Sequence, residues 1–195
     1  RSHELLGRQE VKTLLDALKE KAPVLVDEVV PGVVSIGKVQ KVLAGLLREG
    51  IPVRNLAAIL EALGDYGKVI RDEKLLIEAV RQSLRREITN RFAKDGRIDV
   101  ITVPPDIEER ILSGVRKTDA GNYLSLDPES IRHIMTRMDE ELGKAADLGI
   151  EPVIISSPGI RMYLKEISER NRPDIDVLSY NDLENTVSIQ VVGSL

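Results

Sequence analysis

The chain has 195 residues and no cysteine. This absence excludes disulfide frameworks, thiolate zinc sites and cysteine nucleophiles, and it fits a reducing compartment. No hydrophobic run approaches the roughly 18 to 20 apolar residues that a membrane-spanning helix needs, and the N-terminal residues lack the pattern of a secretion signal. The sequence therefore predicts neither a membrane span nor a signal. Because the first residue is Arg1 rather than methionine, we expect the chain to be part of a longer protein.

Sequence motifs of nucleotide-binding, catalytic and metal-binding sites are also missing. The nucleotide-binding patterns G-x-G-x-x-G and G-x-x-x-x-G-K-[ST] are absent, as is the G-x-S-x-G nucleophile turn. The histidines, His3 and His133, stand alone, and His133 has no second ligand three or four residues away. We therefore predict no catalytic, cofactor-binding or metal-binding residue, and a chain that is not an enzyme.

Charge is divided unevenly between the two halves. The formal net charge is −4, but residues 1–96 carry a net +3 and residues 97–195 a net −7. A net +3 over that length is weak beside the dense basic stripes that neutralise phosphates. We expect no nucleic-acid partner, although an adaptor using Arg81 to Lys94 stays open as a minor alternative.

The first half has the hydrophobic pattern of helices only. Apolar residues three and four apart predict four of them: one ending before Pro23, one between Ser35 as N-cap and Gly50, one from about Arg54 to Tyr66, and one from Asp72 through about Phe92. Four helices joined by short loops can bury their apolar stripes against one another. We predict an all-α helical subdomain over residues 1–95.

After Gly96 the hydrophobic period changes. The predicted elements are a strand Arg97–Val103, a helix from Pro105 to about Val115, an irregular loop Lys117–Leu126, a long helix from Asp127 to Gly149, a strand Val153–Ile155, a helix opened by Ser157 and Pro158, and strands Asp176–Tyr180 and Val187–Val192. The order strand, helix, strand implies a right-handed crossover and parallel pairing. We predict a small α/β subdomain over residues 96–195, with a mixed, partly parallel sheet, and an α+β fold overall.

A candidate anion site lies where the strand ending at Ile155 turns into a helix. Ser157 and Gly159 are placed at the start of that helix, where N–H groups and the helix dipole favour phosphate or carboxylate. Simple capping by Ser157 accounts for the same residues. An alternative function, a small α/β ligand-binding or nucleotide-binding domain or enzyme, depends on this helix start.

Arginines are concentrated near the end of the helical half. Arg81 and Arg85 are four residues apart on the predicted helix, and Arg86, Arg91 and Lys94 follow. A solvated helix face is one interpretation. The other is a contact with an acidic surface of the same protein or of a neighbouring copy, because arginine suits interfaces better than lysine does.

A longer pattern connects these helices. It consists of a proline before a Val-Ser cap, a V-L-x-x-L-L helix and then V-R-x-L-x-x-I-L-E; the residues are Pro31, Val34, Ser35, Val42, Leu43, Leu46, Leu47, Val53, Arg54, Leu56, Ile59, Leu60 and Glu61. This segment, Leu25 to Gly67, resembles the helical subdomain of the flagellar and type III secretion export-gate proteins, the FlhA/SctV family. The resemblance extends to GRQE at Gly7, VRQSLRREIT at Val80 and the tail PDIDVLSYNDL, and covers essentially the whole chain.

The resemblance implies a role in protein export without chemistry. Members have an N-terminal membrane region and four cytosolic subdomains, of which this chain corresponds to the last two. It implies a homo-oligomeric ring of nine subunits that receives export chaperone-substrate complexes and other export-apparatus proteins at the cytoplasmic face of the bacterial inner membrane. Membrane contact would come only through the N-terminal region outside this chain, and no cofactor is implied. The VLSYNDL tail favours a flagellar member.

The implied ring gives the arginine-rich helix a function. We expect Arg54, Glu61, Arg81 and Arg85 at the oligomer interface, with Arg54 and Glu61 on one helix side because they are seven residues apart. An internal salt bridge or cap is an equally good interpretation of that pair. In the family, the main chaperone-docking surface lies largely in the subdomains that precede this chain.

Overall fold

The computed structural model describes residue 4 and residues 6–195, and it divides after Arg91 into two compact units. We call them the helical unit, up to Arg91, and the α/β unit, from Phe92 to Leu195. His3 lies outside the described residues. In the part of the chain that is described, no helix is long and apolar enough to cross a membrane.

The described part of the helical unit is built from helices: α1 (Arg8–Lys21), α2 (Pro23–Val29), α3 (Ile36–Arg48), α4 (Leu56–Tyr66), α5 (Glu73–Gln82) and α6 (Arg85–Phe92). The predicted start of α3 is confirmed, since the Ser35 side chain accepts a hydrogen bond from the Lys38 amide at 3.1 Å. Gly50 follows its C-terminus with a φ of 73°, a left-handed conformation that glycine adopts readily.

Three predicted helix boundaries in this unit are corrected. The short α2 was missed, because Pro23 begins a helix as well as ending the one before it. The single helix expected from Asp72 to Phe92 is two, since the Ser83 hydroxyl and amide both bond the Val80 carbonyl oxygen and interrupt the helical ladder. Helix α4 begins at Leu56 with Asn55 as its N-cap, so Arg54 lies outside it.

The core of the helical unit lies between α3, α4 and α5. Fully buried aliphatic side chains from these helices face one another, among them Val39, Val42, Leu43, Ile59, Leu60, Leu63, Leu76 and Val80. Each such side chain contributes about 1.5 to 3 kcal/mol by leaving water. The predicted apolar stripes are therefore the ones that pack.

The α/β unit contains a four-stranded sheet in the order β5-β4-β1-β6, from β1 (Arg97–Thr102), β4 (Val153–Ser156), β5 (Val177–Ser179) and β6 (Ser188–Ser194). All three strand pairs are parallel, with Val100 opposite Val153 and Ile154 opposite Val177. Helices α7 (Pro105–Ser113), α8 (Pro128–Asp147) and α9 (Arg161–Glu169) belong to the same unit. The predicted strands and parallel pairing are confirmed.

Two predictions in this unit were wrong. The segment expected as a loop holds an antiparallel hairpin, β2 (Val115–Thr118) with β3 (Gly121–Leu124), whose turn is closed by a hydrogen bond from the Thr118 hydroxyl to the Gly121 carbonyl at 2.6 Å. Helix α9 begins at Arg161 with Ile160 as its N-cap, and no side chain caps it, so Ser157 is not the capping residue.

The core of the α/β unit lies on the face of the sheet where its helices pack. Ile101 and Ile154 from the strands meet buried side chains of all three helices: Ile107, Ile111, Ile134, Met138, Leu142, Tyr163, Leu164 and Ile167. The predicted cap of α8 is confirmed, because the Asp127 carboxylate accepts a hydrogen bond from the Ser130 amide at 2.9 Å.

Candidate protein-interaction surfaces

Arg54 and helix α6 form one basic region of the helical unit. The Asn55 side-chain amide donates a hydrogen bond to the Glu87 carboxylate at 2.8 Å, and this contact joins the loop before α4 to α6. The exposed arginines beside Asn55 in the chain and along α6 form a set that we call the basic surface: Arg54, Arg85, Arg86 and Arg91. Arg54 and Arg85, both predicted at an interface, belong to the two segments that this contact joins.

Arg81 does not belong to this surface. Its side chain is only 1% exposed, and its guanidinium lies 3.6 Å from the carboxylate of Glu49, the C-cap residue of α3. Arg81, predicted at an interface together with Arg85, is instead buried in the isolated chain, where its guanidinium pairs with the Glu49 carboxylate. Its positive charge pairs with Glu49 inside the helical unit, between α3 and α5.

Glu61 lies at a different place, a groove between α2 and α4. The groove has a volume of about 390 Å³ and is lined by Leu25, Glu28, Val29, Val33, Glu61, Gly64 and Asp65. Three of these side chains are exposed carboxylates and three are aliphatic. We call this feature the acidic groove. The expectation that Glu61 shares a helix side with Arg54 is wrong, because Arg54 precedes the N-cap of α4.

Glu28 and Asp65 also line this groove, although no sequence motif had marked them as site residues. Asp65 is four residues after Glu61 on α4 and follows from helical spacing. Glu28 comes from α2, which was not predicted, and the two helices meet closely at Gly64, where an added Cβ would lie 3.1 Å from a methyl group of Val29. The acidic groove is therefore a product of α2–α4 packing.

The candidate anion site at Ser157 and Gly159 already holds a carboxylate of the chain. The Ser157 amide donates a hydrogen bond at 2.9 Å to Glu108, which lies on α7. Gly159 is exposed, and a Cβ added there would meet no atom within 4 Å. The amide that a phosphate would need is thus engaged by an internal anion.

Two buried cations on α9 have structural partners nearby. Arg161 donates to the Val177 carbonyl at 2.8 Å, and Lys165 donates to the Ile175 carbonyl at 2.6 Å and to the Pro173 carbonyl at 3.2 Å. Both side chains are less than 10% exposed. They fasten the segment that enters β5 to α9, since buried carbonyl oxygens need donors.

Hydrogen bonds and charge pairs on the surface shift the pKa of several side chains. A hydrogen bond from the Ser130 hydroxyl, joined by the Ser130 amide, lowers the pKa of Asp127. Hydrogen bonds from Lys144 and Arg137 lower the pKa of Glu141, and those to Glu140 and Glu141 raise the pKa of Arg137. In the helical unit, Asp27 raises the pKa of Lys19.

Among the described residues, no arrangement of side chains fits a metal ion. Over residue 4 and residues 6–195, the structure places no group of three or more His, Asp or Glu side chains in an arrangement that could hold a metal ion. His133 is exposed on α8. What the helical unit offers is two exposed regions of opposite charge, which can bind other polypeptides.

Two curated relatives match almost the whole chain. The flagellar biosynthesis protein FlhA of Bacillus subtilis is 46% identical over 193 residues, which is 98% of this chain and 28% of that protein. The invasion protein InvA of Salmonella typhimurium is 31% identical over 193 residues, with 99% and 28% covered. The chain therefore spans just over a quarter of the length of these relatives.

Solved structures with 29 to 33% sequence identity to this chain have the same fold. The C-terminal domain of InvA matches with a TM-score of 0.90 and 32% identity, over 97% of this chain and 58% of that one. The nonameric SctV-C of EPEC matches with a TM-score of 0.88 and 29% identity, over 100% and 58%. The Chlamydia pneumoniae CdsV protein in complex with CdsO matches with a TM-score of 0.87 and 33% identity, over 99% and 57%.

The family comparison agrees with both sets of relatives. The model of the FHIPEP family matches residues 1–188 of the 195. The matched range includes both the helical unit and nearly all of the α/β unit. The chain belongs to the FHIPEP family.

Proposed function

We propose that the chain is the C-terminal cytosolic part of a bacterial flagellar export-gate protein and acts as a non-catalytic module for ring assembly and docking. The observation that carries this proposal is the match of the whole chain to SctV-C of EPEC, whose structure is nonameric. A homo-oligomeric ring of nine subunits is the assembly that this likeness favours.

The flagellar assignment is supported by the relatives. Identity to the Bacillus subtilis FlhA is 46%, whereas identity to InvA is 31% over the same number of residues. The parent protein would be anchored in the inner membrane, with these residues on its cytoplasmic side. The VLSYNDL tail is consistent with the flagellar member of the family.

The proposed partners are proteins. The Chlamydia pneumoniae CdsV protein, of which this chain covers 57%, forms a complex with CdsO, and this complex supports a protein partner from the export apparatus. Export chaperones with their substrates are the further partners that we propose for the parent protein. No cofactor and no nucleic acid takes part in this function. The charged residues Arg54, Glu61 and Arg85 are proposed as contacts between subunits, whereas Arg81, which was predicted with them, is buried in the isolated chain.

The ring proposal is tested by tethering the 195-residue chain to vesicles through a terminal histidine tag and nickel lipids. Tethering raises the effective concentration, which favours weak interfaces. We expect ring-shaped particles by electron microscopy and a crosslinking ladder that becomes weaker as salt screens surface charge. A chain that stays monomeric at the highest surface density would contradict ring assembly.

A further inference from the structure

The acidic groove between α2 and α4 has the chemistry of a receptor for arginine. Leu25, Val29 and Val33 give it aliphatic side chains, and the carboxylates Glu28, Glu61 and Asp65 line it. Among the described residues that line the groove there is no lysine or arginine. An arginine side chain fits both the aliphatic and the acidic side chains of the groove, because its methylene stem packs on apolar surface while its guanidinium pairs with carboxylate.

A closed ring built from identical subunits needs two different surfaces on each subunit. Head-to-tail contacts bring one patch of a copy against another patch of the next copy, and the two patches must be complementary. The helical unit carries such a pair. The acidic groove is negative, and the basic surface, Arg54, Arg85, Arg86 and Arg91, is positive.

We propose that the acidic groove of one copy of this chain receives the basic surface of the adjacent copy, with Arg86 on α6 among the arginines that enter it. The proposal rests on the ring assembly proposed above and names the two surfaces that make the contact. Arg86 and Glu61 are both exposed in the isolated chain, as an intersubunit contact requires.

The exposed charges of the chain favour a second copy as the partner that occupies the acidic groove. Rim charges set register and partner choice, and like charges placed opposite each other are strongly unfavourable. The groove would therefore repel the carboxylate-rich surface of α8, where Glu129, Asp139 and Glu140 are exposed. It would accept α6, whose exposed face is dominated by arginines.

Charge reversal tests the contact in the vesicle assay described above. We expect Glu61→Arg and Arg86→Glu each to weaken self-association about tenfold or more, because each places like charges together. Both changes in the same chain restore opposite charges across the Glu61–Arg86 pair while Glu28 and Asp65 stay negative, so the double variant should recover part of the lost self-association and assemble better than either single variant. Matched controls are Glu109→Arg and Arg132→Glu, which change exposed charges in the α/β unit.

Crosslinking gives a second test that does not depend on charge reversal. The chain has no cysteine, so introduced cysteines report only the intended contact. A chain carrying Glu61→Cys is mixed with a longer, tagged chain carrying Arg86→Cys and treated with a short bis-maleimide. We expect a mixed dimer in high yield, and little when Arg132→Cys replaces Arg86→Cys. Circular dichroism verifies that each variant is folded.

The outcomes separate this inference from the proposed function. If the unmodified chain forms rings but the reversed variants behave like their controls and no mixed dimer forms, the groove contact is wrong and ring assembly stands. If the unmodified chain stays monomeric on vesicles, ring assembly fails and the groove contact fails with it. Loss with each single reversal, recovery in the double variant and a specific mixed dimer support the contact.

Discussion

The carboxylate of Glu108 accepts a hydrogen bond from the backbone amide of Ser157 at 2.9 Å, across 49 residues of sequence. The turn before α9, the one place where the sequence suggested a phosphate site, is thus engaged by the protein's own α7. Ligand binding there would require displacement of a charge-assisted hydrogen bond, which is stronger than a neutral one.

Removal of this carboxylate should lower stability. We expect Glu108→Ala to reduce the free energy of unfolding by about 1 to 2 kcal/mol, because a hydrogen bond to a charged group is lost. Urea unfolding followed by circular dichroism measures the change. The control Glu109→Ala, at an exposed position, should change it by less than about 0.5 kcal/mol.

Ligand-dependent thermal stability tests the ligand-binding alternative. Thermal shift of the unmodified chain with phosphate, nucleotides and phosphosugars should show no ligand-dependent rise, because Glu108 blocks the amide. A clear rise that saturates with one of these ligands would support the enzyme or nucleotide-binding alternative instead.

Arg81 should matter for folding rather than for an exposed contact. Its guanidinium lies 3.6 Å from the Glu49 carboxylate and is almost fully buried. Arg81→Ala leaves Glu49 without this cation, and we expect a loss of about 3 kcal/mol in the free energy of unfolding. The matched control is Arg86→Ala on exposed α6, with an expected change below about 0.5 kcal/mol. Equal losses in both variants would contradict a buried role for Arg81.

Asp127 makes part of the stability of α8 dependent on pH. Its pKa in the folded protein is below the ordinary value of 3.8, chiefly because Ser130 donates hydrogen bonds to the carboxylate. The stabilisation is therefore complete above the unfolded-state pKa and is lost as the pH falls from about 5 toward 2. Asp127→Asn keeps a capping oxygen but cannot titrate.

Unfolding measurements at neutral pH and near pH 3 test this dependence. We expect Asp127→Asn to be less stable than the unmodified chain at neutral pH and the difference to shrink at the acidic end. Asp147→Asn, at the other end of α8, is the matched control. A difference that is the same at both pH values would contradict a titrating cap.

Two glycines should respond oppositely to alanine. At Gly114, before β2, an added Cβ would lie 2.8 Å from the Ser125 carbonyl oxygen, which is backbone and cannot move aside. At Gly143, inside α8, an added Cβ would meet nothing within 4 Å apart from the backbone of the helix itself. We expect Gly114→Ala to cost about 1 to 3 kcal/mol and Gly143→Ala to stabilise by about 0.5 to 1 kcal/mol, measured by urea unfolding. Equal changes at both positions would contradict close packing at the hairpin.

Local signals predicted the long elements well. Asp127 and Pro128 mark the start of α8, and Ser35 marks the start of α3, because an N-cap acts on amides only two or three residues away. The parallel sheet followed from the order of strands and helices. The short α2 and the β2–β3 hairpin were missed, since each is too short to show a clear hydrophobic period.

The sequence by itself determined the helix caps, the apolar stripes, the change from helical to strand period after Gly96 and the family, because each is written in residues close together in the chain or in a long matching pattern. Only the tertiary structure decided that Arg81 is buried against Glu49, that Glu108 engages Ser157 and that Glu28 joins Glu61 and Asp65 in one groove. These relationships connect residues from different elements, and packing, which depends on how those elements meet in space, brings them together.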